Sequence, residues 1–481
     1  MNSKSLKKNY LLDATYQVLT LLVPFITTPY VSRVLKSEGI GAYSYTLAIV
    51  SYFGIFATVG MDVYGQLQVA KHRDDKKECG KLVGGIFMSK FATTIIVLML
   101  YFALESKIGM YKNLYWIMII YFFSEMVNFT WFFQGMEKFA YIIARNILIK
   151  IIGIVCIFCF VKTIEDVVIY ALIMQGSVLF GNLAVIPYMR KFIVLPLISQ
   201  VRILPHLKGG IIYFIPTIAT SVYTILDKAM IGWVTRSPNE NGYYEQSYKI
   251  VQMVLVVVTS LRTVTLPRVV RLYSEKNYKE VREIIDGTVR FVLCITLPMS
   301  VGLIMVAPQL IPIFLGESFM KCISVVRILS ILIVVLGLSV LISGQCLTAM
   351  GKQKQANSCV IVGAALNFVM NLLLISDYGA LGAAIATVCA ETLIMMMFFV
   401  FGKEYIKMKD MVKYFFKYLF CSAIMAFVIY GINFTGLGME MLLACKIMAG
   451  ILVYFGMLLL IRDDLIANFI YGIMRKSDDA K

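Results

Sequence analysis

Ionisable residues stand inside or at the ends of long apolar stretches of this sequence, where a charge is costly to bury. Six are cations and four are acids: Arg33, Lys90, Arg145, Lys150, Lys228 and Arg262, and Asp62, Glu125, Asp227 and Glu391. Ionisable groups at bilayer depth cost several kcal/mol and mark functional sites by default. A buried cation is suited to binding an anion such as a phosphate, and a buried carboxyl to exchanging a proton. We therefore expect these residues to bind an anionic ligand and a coupling ion.

The depth of each residue in its predicted helix separates the candidates. Arg262 is the first candidate, because it lies about 20 Å from the outer end, beyond the reach of its side chain. Lys90 and Arg145 lie about 12 Å and 7 Å from cytoplasmic ends, where snorkelling to water is the simpler explanation. Lys150 and Glu125 lie about 15 Å and 12 Å deep on adjacent helices. The geometry allows an ion pair between them, with either a structural or a functional role.

Asp227 and Lys228 are neighbours on one predicted helix, about 10 Å from its outer end. Because successive helical residues point about 100° apart, at least one of the two should face a cavity between helices. Our hypothesis is that Arg262 and Lys228 line a cationic central cavity. Glu391, near the middle of its helix, fits either a proton-exchanging role or a hydrogen bond to a neighbouring helix.

The elements that position these residues are predicted to be membrane-spanning helices. Of 481 residues, 60% are hydrophobic and 15% are charged, against about 25% charged in soluble domains. Apolar runs of about 20 residues, long enough to cross a bilayer, recur along the chain. We predict an all-α membrane protein with about 14 transmembrane helices, at residues 10–34, 41–62, 82–104, 114–133, 140–161, 167–188, 211–234, 249–270, 289–308, 325–347, 355–375, 379–401, 413–434 and 440–461.

The net charge of +17 is predicted to reflect membrane topology. With the N-terminus in the cytoplasm, about 30 Lys and Arg residues fall in inside loops and about 10 in outside loops, as the positive-inside rule requires. Both termini are therefore predicted to be cytoplasmic, and no nucleic-acid partner is expected. The outside loops are short, which argues against an external catalytic domain.

The two halves of the sequence show an internal repeat at a spacing of about 200 residues. Gly41-x-Tyr43, after the first predicted helix, aligns with Gly242-x-Tyr244, after the seventh. Repeats of six helices share their orientation in the membrane. We predict an N-terminal six-helix bundle, a cytoplasmic linker, a C-terminal six-helix bundle and a last pair of helices with a cytoplasmic tail, at residues 1–188, 189–210, 211–401 and 402–481.

Motifs for ATP hydrolysis or metal binding are missing from the sequence. No G-x-x-x-x-G-K-[ST] is present, and Gly351-Lys352 lacks the earlier glycine because position 346 is Cys346. The sequence has two histidines, and no acid-rich loop suited to a divalent metal. We expect a protein that is not an enzyme and that needs neither a cofactor nor a metal.

Four segments resemble a known family: PFITTPYVSRVLKSEGIGAYSY (24–45), WFFQGMEKFAYIIARN (131–146), TLPRVVRLYSEKNYKEVREII (265–285) and YGALGAAIATVCAE (378–391). They look like the O-antigen and capsular polysaccharide repeat-unit flippases. These polysaccharide biosynthesis proteins belong to the multidrug/oligosaccharidyl-lipid/polysaccharide exporter superfamily. The resemblance implies two six-helix bundles arranged as a V around a central cavity, with two additional C-terminal helices.

The resemblance also implies a function. The chain is expected to move undecaprenyl-diphosphate-linked oligosaccharides to the outer leaflet of the bacterial cytoplasmic membrane, by alternating access coupled to a proton or sodium gradient. The cations listed above would then bind the substrate, and the acids the coupling ion. A monomer is expected, with membrane lipid around it and with polysaccharide polymerase and chain-length machinery as candidate partners. Two alternatives stay open: a multidrug exporter of the same superfamily, and a polytopic polysaccharide polymerase or ligase.

Overall fold

The computed structural model describes residues 3–108, 111–197, 199, 201–433, 436 and 438–465. Within these ranges, side chains are described except at residues 3–21, 105–108, 139–140, 215–217, 219–224, 257–264 and 267. Throughout the described ranges the regular structure is helical, which confirms the predicted all-α class.

The α-helices, numbered in chain order, are α1 (Ser3–Thr58), α2 (Met61–His72), α3 (Lys76–Ile108), α4 (Lys112–Ile117), α5 (Ile119–Met126), α6 (Thr130–Gly135), α7 (Phe139–Phe160), α8 (Val167–Ala184), α9 (Ile186–Met189), α10 (Leu204–Thr235), α11 (Pro238–Ser274), α12 (Tyr278–Phe314), α13 (Cys322–Leu329), α14 (Ile331–Ile342), α15 (Gln353–Tyr378), α16 (Ala380–Gly402), α17 (Met408–Gly431) and α18 (Met439–Leu460). Short 3₁₀-helices cover Ile164–Asp166 and Glu317–Phe319, and a π-helical turn covers Ser343–Thr348.

The structure confirms a protein with many membrane-spanning helices. Among the described residues, 11 helical stretches are long and apolar enough to cross a membrane. One of them, Leu22–Thr58, contains the non-helical residue Lys36, which divides it. The long helices α10 and α11, of 32 and 37 residues, are outside the 11 and include side chains that are not described. The predicted number of about 14 spans and their grouping into six, six and two therefore stay predictions.

Two backbone breaks in the first part of the chain refine the predicted helix ends. Lys36 (φ 54°, ψ −175°) separates the two halves of α1, between the predicted spans 10–34 and 41–62. The second half ends at Thr58 rather than 62, because Val59 and Gly60 are left-handed. Gly60 is required there, since a Cβ atom would lie 2.6 Å from the carbonyl oxygen of Gly210.

The predicted span 114–133 is broken into α4, α5 and α6. The second break, at residues 127–129, includes Asn128, whose side-chain oxygen accepts a hydrogen bond from the Thr130 N–H at 3.1 Å. Side chains of this type compete with the helical backbone for hydrogen bonds. Discontinuous helices of this kind are typical of ion and substrate sites in transporters.

The chain divides into two compact units, residues 1–245 and 246–481. In the first, Trp131, Phe132 and Phe133 of α6 are buried in a core that they share with Met61 and Val69 of α2. In the first unit α10 begins at Leu204, inside the predicted linker 189–210. In the second, α12 packs against α14, α17 and α18, and α15 packs against α16. The predicted domain boundaries stay predictions.

Candidate functional site

Three of the predicted site residues meet in the first unit and form the Asp62–Lys90–Glu125 triad. The Lys90 ammonium lies 2.5 Å from Asp62 Oδ1 and donates to the backbone carbonyl of Glu125 at 3.3 Å. Lys90 is only 1% exposed, whereas 39% of the Asp62 side chain is exposed. Lys90 is therefore fully desolvated inside the helices and does not snorkel to the cytoplasmic face.

Local backbone structure explains why a lysine is stable at this depth. Asp62 follows the break between α1 and α2, and Glu125 stands one residue before the end of α5. The carbonyl groups at the C-terminus of a helix carry partial negative charge, which favours a cation. Lys90 thus reaches a carboxylate and a helix C-terminus at once. The Glu125 carboxylate interacts with Asp62, Lys90 and the Asn128 side chain, so the structure pairs Glu125 with α2 and α3 rather than with Lys150.

A second cluster joins α1, α10 and α11 through a close backbone approach, here named the Gly41–Gly242 contact. A Cβ atom at Gly41 would lie 1.6 Å from the Pro238 carbonyl oxygen, and one at Gly242 would lie 2.1 Å from the Ser37 carbonyl oxygen. Gly41 and Gly242 are 201 positions apart, as are Ser37 and Pro238. The contact is therefore reciprocal, because equivalent positions 201 residues apart approach each other in both directions.

Hydrogen bonds reinforce the Gly41–Gly242 contact. Ser44 Oγ donates to Glu245 Oε2 at 2.9 Å, between residues that are also 201 positions apart. Ser37 Oγ donates to Asn239 Oδ1 at 2.6 Å. Because one of these bonds ends on a carboxylate, it is expected to be stronger than a neutral hydrogen bond.

Asp227 and Lys228 of α10 are both partnered by α11. Tyr244 donates its hydroxyl hydrogen to Asp227 Oδ2 at 2.5 Å, and Asp227 is buried. Lys228 Nζ forms an ion pair with Glu245 Oε2 at 2.7 Å, and each of these side chains is 25% exposed. The neighbouring residues on α10 thus point to different partners, as the predicted angle between them requires. Of the two, Lys228 keeps access to solvent.

Five further predicted site residues are Arg145, Arg33, Lys150, Glu391 and Arg262. Arg145 donates to Asn182 Oδ1 at 3.0 Å and to Asn146 Oδ1 at 2.8 Å, so its guanidinium bonds polar side chains on its own and a neighbouring helix. Arg33 is exposed, Lys150 is half-buried, and Glu391 is buried on α16 of the second unit. Arg262 lies on α11, but its side chain is outside the described residues.

The sequence predictions missed a charged cluster at the end of α18 in the second unit. Asp463, 1% exposed, accepts from Lys417 at 2.6 Å and from Arg290 at 3.1 Å. The Tyr418 hydroxyl also donates to it, at 3.2 Å. Burial acts to raise the pKa of Asp463, but the hydrogen bonds from Lys417 and Arg290 outweigh it and lower the pKa below its usual range. Lys417 and Arg290 lie in predicted spans, so the depth criterion that found Lys90 could have found them.

Lys446 of α18 was missed in the same way, although it lies inside the predicted span 440–461. It is 5% exposed, and its ammonium is 3.5 Å from Asn433 Oδ1. Glu245 was missed for a different reason, because it lies in a predicted outside loop. Only the structure shows that it approaches Lys228.

Solved structures with the same fold are membrane transporters. The chain is similar to the "Lipid II flippase MurJ, inward closed conformation", with a TM-score of 0.72 and 17% identity, covering 95% of this chain and 99% of that one. It is also similar to an inward-facing MATE family multidrug resistance transporter of the MOP superfamily, with a TM-score of 0.61, 13% identity, and 82% and 99% coverage. The protein is therefore a multi-span membrane protein with the fold of that superfamily.

Sequence comparison gives the family. Residues 6–273 match the model described as "Polysaccharide biosynthesis protein", and residues 214–373 match the model "MatE". Since the first match covers more than half of the chain, the chain belongs to the polysaccharide biosynthesis protein family.

Two curated relatives cover most of the chain, and a third covers about a third of it. A protein of Escherichia coli (strain K12) named "Putative O-antigen transporter" is 24% identical over 406 residues, which are 82% of this chain and 97% of the relative. A Shigella dysenteriae protein of the same name is 24% identical over 396 residues, 81% and 98% of the two chains. A Haloferax volcanii protein named "Probable low-salt glycan biosynthesis flippase Agl15" is 22% identical over 165 residues, 34% of each chain.

Proposed function

We propose that the protein is a flippase for undecaprenyl-diphosphate-linked oligosaccharide repeat units. It moves them from the cytoplasmic to the outer leaflet of a bacterial cytoplasmic membrane by alternating access, driven by an ion gradient. The observation that carries the proposal is the Lys228–Glu245 ion pair, a solvent-accessible cation beside membrane helices in a chain of the polysaccharide biosynthesis protein family. The names of the curated relatives, O-antigen transporter and glycan flippase, support it.

Lys228 is the residue to which we assign contact with the diphosphate. Its present partner Glu245 is 25% exposed, so an incoming anion can replace the carboxylate without leaving the ammonium unpaired. Replacing one anionic partner by another keeps the ammonium paired and avoids the penalty of an isolated, partly buried charge. Arg262, Arg145, Lys150, Arg33 and Lys90 complete the proposed set of cations. Lys90 is the least suited to substrate contact, because its side chain is 2% exposed.

The proposal includes the orientation and the assembly state. Both termini lie in the cytoplasm, the transport unit is a monomer, and the protein is not an enzyme. Polysaccharide polymerase and chain-length machinery are the proposed partners downstream, because they consume the repeat unit at the outer face.

The experiment is transport of fluorescently labelled undecaprenyl-diphosphate oligosaccharide in proteoliposomes, with and without an imposed ion gradient. Variants Lys228→Ala and Arg262→Ala are compared with Lys81→Ala, which removes an exposed ion pair on α3. Loss of one charged hydrogen bond is worth about 1.5–3 kcal/mol, so we expect transport to fall about 10- to 100-fold in the first two variants. Lys81→Ala should transport normally.

Two outcomes would overturn the proposal. Efflux of amphiphilic cationic drugs without movement of any lipid-linked sugar would indicate a multidrug exporter. The match of residues 214–373 to the MatE model favours this alternative. Formation of polymer in place of translocation would indicate a polymerase or ligase.

A further inference from the structure

One ammonium group faces two carboxylates where two helix breaks of the first unit meet. Lys90 bonds the Asp62 carboxylate directly and the backbone carbonyl of Glu125. The side chain of Glu125 interacts with both partners but takes its hydrogen bond from the neutral amide of Asn128. Asn128 is held in place because its oxygen accepts from the Thr130 N–H.

The triad is unbalanced when all three groups are ionised, since one positive charge then faces two negative charges. An uncompensated charge in an apolar interior is costly, and a group in that position tends to take up a proton instead. Asp62 has the ammonium at 2.5 Å and is stabilised as a carboxylate. Among the described residues, the hydrogen-bond partner of the Glu125 carboxyl group is the neutral Asn128 amide, so Glu125 is the group that neutralises the site when it is protonated.

We infer that Glu125 takes up and releases one proton in each transport cycle, beside the fixed Asp62–Lys90 ion pair. This inference rests on the proposed transport function and names its coupling ion and the residue that binds it. The proton passes from a hydronium ion to a carboxylate oxygen of Glu125, leaving water, and returns to water in the reverse step. The Asp62 side chain, 39% exposed, marks the side from which water reaches the triad.

The other groups around Glu125 do not neutralise it. Tyr121, one turn earlier on α5, is near both carboxylates and shares a hydrogen bond with Ser51 of α1. From the α8 side, Asn182 donates to the carbonyl and hydroxyl oxygens of Ser124. Arg145 also donates to Asn182, and among the described residues the cation that acts on the Glu125 carboxylate is Lys90. Lys90 is therefore the charge that balances the two acids.

The test is infrared difference spectroscopy of the full chain in nanodiscs between about pH 9 and about pH 5, which detects the carbonyl stretch of a protonated carboxyl group. Wild type is compared with Glu125→Gln and Glu125→Asp. The matched control is Glu78→Gln, which removes the carboxylate of the exposed Glu78–Lys81 pair on α3. We expect Glu125→Gln to lose one buried carboxyl signal that the other proteins keep.

The variant Asp62→Asn gives a second, independent outcome. Removing the negative charge of Asp62 leaves Lys90 free to pair with Glu125, so we expect the carboxyl signal to appear only at a lower pH. An unchanged spectrum in Glu125→Gln overturns the inference. So does a signal that disappears in Asp62→Asn and persists in Glu125→Gln, because the proton would then reside on Asp62.

Transport assays separate this inference from the proposed function. If the lipid-linked oligosaccharide moves in wild type and a pH gradient no longer accelerates it in Glu125→Gln, both stand. If the spectroscopic signal belongs to Glu125 but wild type moves no lipid-linked sugar, the proton site stands and the flippase proposal fails. If wild-type transport responds to a pH gradient and Glu125→Gln responds equally, the proton site fails alone.

Discussion

The Gly41–Gly242 contact gives the sharpest test of the structure, through the variant Gly41→Ala. The added Cβ atom would lie 1.6 Å from the Pro238 carbonyl oxygen, whereas ordinary contact begins at 3.4 Å. The two backbones must therefore separate by about 1.8 Å, the difference between these distances. A separation of that size breaks the Ser44–Glu245 bond at 2.9 Å and the Ser37–Asn239 bond at 2.6 Å.

The expected cost of Gly41→Ala follows from these losses. Overpacking costs about 1–3 kcal/mol, and each lost hydrogen bond costs about 1 kcal/mol. Replacing glycine by alanine returns about 0.4–1 kcal/mol by restricting the unfolded chain. The net loss in the free energy of unfolding is therefore roughly 2–5 kcal/mol. Gly242→Ala should cost a similar amount, and the double variant less than the combined cost of the two, because the first substitution already opens the shared contact.

The assay is the melting temperature of the purified protein, measured by size-exclusion chromatography after heating. The control is Gly176→Ala on α8, where an added Cβ atom would meet nothing within 4 Å. We expect Gly176→Ala to melt at or slightly above the wild-type temperature, and Gly41→Ala to melt clearly below it. Equal melting temperatures for the two variants would refute the reciprocal contact.

Three further predictions concern single side chains. Asp463→Asn should lower the free energy of unfolding by about 3 kcal/mol, because it leaves two cations without their shared carboxylate. The control Asp464→Asn, at a side chain that is 82% exposed, should change the free energy of unfolding by less than about 0.5 kcal/mol. Melting temperatures of the two variants check both values. Burial acts to raise the pKa of Asp463, but its two cationic partners lower it by more, so the folded-state pKa lies below the unfolded-state value. This group therefore stabilises the fold above its unfolded-state pKa and ceases to do so as the pH falls through the folded-state pKa. The melting difference between wild type and Asp463→Asn should therefore vanish only below about pH 4, and a difference that disappears near neutral pH would contradict this assignment. Tyr244→Phe removes the 2.5 Å hydrogen bond to buried Asp227 and should cost about 1–3 kcal/mol. The control Tyr430→Phe, at a tyrosine that is 71% exposed, should not reproduce that loss.

The fold class was predictable from the sequence because hydrophobic length is a direct requirement of the bilayer. Apolar runs of about 20 residues predict membrane helices, and 11 such stretches are present among the described residues. Backbone breaks were harder to predict. The break at Lys36 falls in the predicted gap between spans 10–34 and 41–62, but the breaks inside the predicted span 114–133 were not expected. Nothing in the residues around Met118 distinguishes a break from a continuous helix, because the packing of other helices decides where the backbone turns.

The depth criterion selected buried charges but could not give their partners. It identified Lys90 and Asp62, which meet, and it also left open a pair between Glu125 and Lys150 that the structure replaces with the triad. Sequence spacing defines neighbours along one helix, whereas the partners here come from three separate helices. The repeat of Gly41 and Gly242 was visible in the sequence, but alignment alone did not indicate that the two glycines touch.

One ion pair and one hydrogen bond between α10 and α11 connect proposed substrate binding to the Gly41–Gly242 contact. Asp227 and Lys228 are adjacent on α10, and their partners Tyr244 and Glu245 are adjacent on α11. Glu245 also accepts the hydrogen bond from Ser44 of α1. A diphosphate that takes Lys228 away from Glu245 leaves that carboxylate with less compensation, and a carboxylate in that state is drawn toward water. Movement of Glu245 toward water pulls on its bond to α1. Substrate binding at Lys228 and loosening of the α1–α11 contact are therefore expected to occur together.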